Sequence, residues 1–237
     1  AIVGDVHPHT LIPLLERYFG RIAARPAPQE IRTIEPKSIS EKVITLKDPS
    51  QPFYLEGYHK PAITHADQPV YDAIDDILTN GRTSRFYRSL VRDKKIAVSA
   101  GSYGAYPGEK YPHMWVVYGV PARGVGNEKV QQALREELSR LQTEDVLDEE
   151  LAKFRTRAKA SLLRSLKSNL GLAMSLTDYH TLFGDWKKLF KYIERFDQVT
   201  KADIRRVAQE TFQESNRVVA QIETQLPSAP NPTSLQH

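Results

Sequence analysis

The chain contains no cysteine in its 237 residues. That absence excludes disulfides and thiolate metal ligands. An excess of one charge is nearly absent as well. With 33 basic and 29 acidic residues, the formal net charge is +4, spread along the chain. A dedicated nucleic-acid binder carries a stronger and more segregated excess, so nucleic acid is not expected as a partner. No apolar run approaches the ~20 residues of a membrane span, so none is expected.

Catalytic motifs are scarce too. G-x-S-x-G does not occur. Gly119 to Gly124 has the glycine spacing of a phosphate loop, but Val125 stands where its Lys belongs, which makes it a turn. Seven histidines form neither H-E-x-x-H nor H-x-x-E-H. His7 and His9 are the one close pair, at a helix start. No metal ligands are expected in this chain.

What is present suits a globular fold: 40% hydrophobic and 26% charged residues. The opening AIVGD reads as a strand already under way, with no signal peptide before it. The expectation is a fragment, or a processed piece, of something longer. Leu11, Leu14, Leu15, Tyr18 and Phe19 then give a helical apolar face, stopped by Gly20. Residues 21–40 carry Pro26, Pro28 and Pro36 and read as a linker.

The main domain is expected over 41–225. Two strand-like runs, KVITLK and FYLEGYHK, flank the turn DPSQP. Two helices follow, over about 65–78 and from Thr83 or Ser84 onward. IAVSAGSYG and HMWVVYGVP read as strands. The next segments, 126–141, 145–168, 169–183 and 186–196, are helical in pattern. Thr200 and Asp203 have capping-box spacing for a further helix, and NRVVAQIE reads as a closing strand. The order β-β-α-α-β-β, then helices, then β implies an α+β fold: a mainly antiparallel sheet covered by helices on one face. The Pro- and Ser-rich 226–237 reads as a disordered tail.

One stretch raises a question of function. GRTSRFYRSLVRDKKIAVSAGSY, residues 81–103, holds Arg82, Arg85, Arg88, Arg92, Lys94 and Lys95 in its first fifteen positions. On a helix Phe86 and Leu90 form the buried side, and Arg85, Arg88 and Arg92 form a basic stripe. A solvated helix face and a polyanion patch are both open on the residues alone.

Three stretches together resemble a known family. These are AIVGDVHPHTLIPLLERYFG, LTNGRTSRFYRSLVRDKKIAVSAGSY and SNLGLAMSLTDYHTLFGDWKKLFKYIERFDQVTKADIRRVAQETF. In that order and spacing they are similar to the zinc peptidases of the pitrilysin and mitochondrial processing peptidase group. The resemblance implies a LuxS/MPP-like fold. Residues 1–20 would be the last strand and helix of a preceding catalytic-type domain, and 41–225 a non-catalytic second domain. The inverted H-x-x-E-H zinc site would lie upstream, so zinc is expected there and no cofactor here. The parent would be a zinc metalloendopeptidase, with this chain inactive by itself. Partners would be the upstream domain, a homologous partner half or subunit, and the peptide held in a chamber between them. A soluble protein of the bacterial cytoplasm or periplasm is expected. An assembly subunit without peptidase activity is the alternative.

The family also uses an Arg-Tyr pair to contact substrate. By position Arg92 takes the Arg place. The loop is one residue short of the pattern G-x-x-S-R-L-x-x-x-L-R-x-x-x-G-L-A-Y, lacking the Gly between Lys95 and Ile96. Val98 stands where Tyr would be, and Val donates no hydrogen bond.

Overall fold

The computed structural model describes residues 1–26, 29 and 31–225. The proposed tail at 226–237 and Pro28 of the linker lie outside the described residues. The chain forms two compact units. Of the described residues, those within 1–37 and 159–193 form one, and those within 38–158 and 194–225 form the other.

The smaller unit is helical. Residues 1–6 form no strand, contrary to the reading of AIVGD. A strand needs a neighbouring ladder for its backbone groups, and no described strand pairs with this one. Helix α1 (Pro8–Phe19) begins with Pro at its first position, where the missing N–H is harmless. None of its residues is buried, and Ile12, Leu14, Tyr18 and Phe19 are exposed. Helix α5 (Asn169–Phe183) is capped at its start by Ser168, whose hydroxyl accepts from the Gly171 amide at 3.0 Å. Gly184 ends it at φ +70°. Tyr179, Phe183 and Tyr192 pack ring on ring at 5.0–6.4 Å. Helix α4 spans Asp148–Ser165 and helix α6 spans Lys188–Gln198.

The larger unit holds the sheet. Its strands are β1 (Lys42–Asp48), β2 (Phe53–Lys60), β3 (Ala97–Tyr106), β4 (His113–Pro121) and β5 (Arg217–Thr224). The spatial order is β1-β5-β2-β4-β3, antiparallel throughout except for β1 beside β5. The turn between β1 and β2 therefore does not close a hairpin, because the last strand inserts between them.

Helices α2 (Gln68–Thr79), α3 (Asn127–Thr143) and α7 (Lys201–Thr211) pack on the sheet. Their apolar stripes bury Val70, Ala73, Ile74, Ile77, Val130, Leu134, Leu138, Ile204 and Val207 against Tyr54, Tyr58, Trp115, Val117 and Val219. Each large side chain removed from water here contributes roughly 1.5–3 kcal/mol. Gly119 lets α3 approach closely, since a Cβ there would meet Val130 Cγ1 at 2.3 Å. The capping box of Thr200 and Asp203 forms as its spacing predicts.

A buried carboxylate sits on this face. Glu56 accepts from Tyr54 Oη at 2.8 Å and Tyr58 Oη at 3.2 Å, and it pairs with Arg135. Arg135 and Arg217 both bond to Glu41, at 2.7 and 2.6 Å. Burial and the Glu56 charge push both tyrosine hydroxyls far up, so they stay protonated and donate. A buried carboxylate is tolerable only with this degree of pairing.

Candidate functional site

The sequence pointed to residues 81–103, and local chemistry shapes that stretch. Helix α2 ends at Asn80, and Gly81 turns the chain at φ +76°. Ser84 opens the next helix, accepting from the Tyr87 amide at 3.4 Å. From Tyr87 to Asp93 the helix is a π-helix, where an α-helix was expected. The Lys94 amide reaches back to Ser89 O at 3.0 Å, five residues away, and Ile96 reaches Leu90 O at 2.9 Å. This widening is rare and concentrates at functional sites. Phe86 and Leu90 are fully buried, as their spacing implied.

The basic residues do not share one solvated face. Arg85 is only 5% exposed. It grips Glu150 on α4 with two bonds, Nε at 2.9 Å and Nη2 at 2.7 Å. Burial would raise the Glu150 carboxyl. The Arg85 bonds, the Leu147 amide and the charges of Arg85 and Arg88 outweigh that and hold it low. Arg88 reaches the same carboxylate at 3.5 Å. Lys94 pairs with Glu136 on α3.

Arg92 is exposed and forks onto its neighbour, with Nε to Asp93 Oδ1 at 2.6 Å and Nη2 to Oδ2 at 3.0 Å. That bond raises the Arg92 pKa and lowers that of Asp93. Lys95 stands at φ +52°, one of the few left-handed non-glycine geometries a folded chain keeps. Val98 sits where the β3–β4 register slips between Ala97 and Ser99. It is 57% exposed, so the position is open to solvent but apolar.

Arg85, Arg88, Arg92, Asp93, Lys94, Glu137, Arg140, Glu144 and Glu150 line a cleft of about 370 Å³. The basic side of this cleft is visible in residues 81–103, but its acidic side comes from α3, α4 and the turn between them, and nothing local signals that Glu150 meets Arg85 across 65 residues.

A second feature was missed. The strands alternate, so one sheet face is buried under helices and the other carries Leu55, Val116, Tyr118, Ala220 and Ile222, all half-buried. On this second face Phe53, Tyr118 and Tyr103 form an aromatic row, at 6.0 and 5.3 Å. Glycines flatten it: a Cβ on Gly57 would meet Met114 Cε at 2.2 Å, and one on Gly101 would meet Tyr118 Oη at 2.8 Å. The signal was present in HMWVVYGVP, which is apolar at both odd and even positions.

Among the described residues no group of three or more His, Asp or Glu side chains could hold a metal ion. The described histidines and carboxylates do not fit a zinc centre. No described helix is long and apolar enough to cross a membrane.

These features define a class: an α+β domain with one helix-covered sheet face and no metal-ligand set in its described part. The model of the peptidase M16 inactive domain matches residues 1–158. The chain belongs to that family, the inactive domains of M16 zinc proteases. It is 25% identical over 229 residues to the zinc protease PqqE of Helicobacter pylori, covering 90% of this chain and 48% of that protein. It is 24% identical to the uncharacterized zinc protease YmxG of Bacillus subtilis, covering 90% of this chain and 51% of that one. A solved protease from Helicobacter pylori shares the fold, with a TM-score of 0.84 at 23% identity over 93% of this chain and 54% of that chain. The chain spans about half the length of the curated relatives it matches.

Proposed function

We propose that this inactive domain forms part of the wall of a peptide-holding chamber, facing a zinc-bearing domain encoded upstream. The observation that supports this most is the second sheet face. It is broad, apolar and aromatic, with no Asp, Glu, Lys or Arg across the β2, β4 and β3 positions that share it. Such a surface suits an extended peptide in contact rather than bulk water. Residues 1–20 belong in this reading to the preceding domain. The exposed Ile12, Leu14, Tyr18 and Phe19 of α1 are then covered by the rest of that domain. Zinc chemistry, polarising a carbonyl and activating water, is supplied upstream, and a homologous partner half closes the chamber. Arg92 is the one candidate here for a bond to a substrate carbonyl, unaided by a tyrosine at Val98.

A photo-crosslinker at position 118 of the full-length parent should capture a bound peptide substrate. The same group at Lys129, on the helix side, should not. Equal capture at both, or none at 118, would refute the wall. The upstream sequence should carry H-x-x-E-H and a later Glu. If it lacks them, the alternative of an assembly subunit without peptidase activity takes over. The 237 residues alone, given zinc and peptide, should show no metal-dependent cleavage.

A further inference from the structure

The cleft beside the π-helix has spare hydrogen-bond donors, and each of its carboxylates already pairs with a basic side chain. Glu150 accepts from Arg85 twice, from Arg88, and from the Leu147 amide at 3.0 Å. Asp93 takes Arg92. Glu137 and Glu144 share Arg140, and Asp145 pairs with Arg205 at 3.1 Å. A cation entering the cleft would compete with the basic side chains that already hold these carboxylates.

The guanidiniums are less used. Each offers five N–H donors. Arg88, 39% exposed, spends one of them, on a 3.5 Å contact. Arg140, half exposed, reaches its two glutamates only at 3.2–3.5 Å. Arg85 is buried, and its Nη1 has no hydrogen-bond partner. The formal charges of the lining cancel, so long-range attraction is weak. Short-range donor geometry decides the ligand, and it favours a planar anion.

We propose that this cleft binds a peptide carboxylate, with Arg88 and Arg140 as its anchors. Asp93 is the built-in competitor: it holds Arg92 in a fork, and its charge also faces that of Arg88, so it competes with a ligand carboxylate for the basic side of the cleft. The Arg92–Asp93 pair shows that recognition geometry already made within the chain. The carboxylate has two possible sources, a peptide C-terminus or an Asp or Glu side chain. Only the choice of a peptide as its carrier rests on the chamber reading above.

Three fluorescent peptides of one neutral sequence test this on the 237-residue chain by anisotropy. One has a free C-terminus, one is amidated, and one is amidated with a single internal Glu. At least one carboxylate-bearing peptide should bind about tenfold tighter than the neutral one, and which one does identifies the source. Arg88→Gln and Arg140→Gln should each weaken that binding by about tenfold, the loss of one charge-assisted contact. Asp93→Asn should tighten it several-fold, a gain that a misfolded variant cannot show. Equal binding of all three peptides, no binding, or indifference to Arg88→Gln and Arg140→Gln overturns the proposal. If binding behaves as stated while crosslinking from position 118 fails, the chamber wall falls and the carboxylate cleft stands. If crosslinking succeeds while the peptides bind alike, the cleft falls and the wall stands.

Discussion

Glu150→Gln is the sharpest test of how the cleft is held. Arg85 is 5% exposed and Glu150 13%, so the pair is shielded from solvent screening. Its geometry is a fork, at 2.7 and 2.9 Å. Glutamine keeps the size of the side chain but removes the charge, leaving a guanidinium buried without its counter-ion. Removing one partner of such a pair costs about 3–5 kcal/mol. At roughly 2–4 °C per kcal/mol for a domain of this size, the melting temperature should fall by roughly 10 °C. Circular dichroism melts at neutral pH measure it. The double variant Arg85→Met, Glu150→Met removes the charge and its partner together and should recover at least half of the loss. A drop in Tm of less than about 2 °C for Glu150→Gln, or additive losses in the double variant, would refute the account of a buried, mutually dependent pair.

Other consequences are simpler to check. Lys95→Gly should stabilise the chain by about 1 kcal/mol, because φ +52° strains a residue with a Cβ; denaturant titration measures it, and a loss would contradict the assigned geometry. Gly119→Ala should cost about 1–3 kcal/mol, since its Cβ would press on the packed Val130. Gly57→Ala should cost less than about 1 kcal/mol, because the flexible end of Met114 can move aside; a reversed order would refute the two-faced sheet. Burial pushes the His113 imidazole down, and nearby Lys60 adds to that against the opposing bond to Tyr111 O. A folded pKa below the unfolded value near ~6.5 gives stability that is present above pH ~6.5 and lost as pH falls toward the folded value. The Tm should therefore decline on mild acidification, and His113→Gln should flatten that decline.

The fold was legible where the pattern is local. Thr200 and Asp203 announced their capping box, and the α2 stripe of Val70, Ile74 and Ile77 announced its buried side. Element positions followed to within a few residues. What escaped was set by distant partners. Nothing in KVITLK says that β5 will lie beside it in parallel. Nothing in YRSLVRD distinguishes a π-helix from an α-helix, since both bury Leu90, and the difference lies in backbone bonds such as that from Lys94 to Ser89. Arg85 looked like one of three surface arginines because its carboxylate comes from another helix. Lys95 takes a left-handed conformation that composition gives no reason to assign to lysine.

The place of β5 has a consequence for synthesis. Residues 217–224 fill the gap between two strands made more than 150 residues earlier. Until they leave the ribosome, β1 has no neighbour, and β2 offers an open row of amides and carbonyls to any passing strand. The sheet therefore closes late, by insertion rather than by growth at an edge. A nascent chain stalled before residue 217 should be a client for chaperones and a hazard for aggregation.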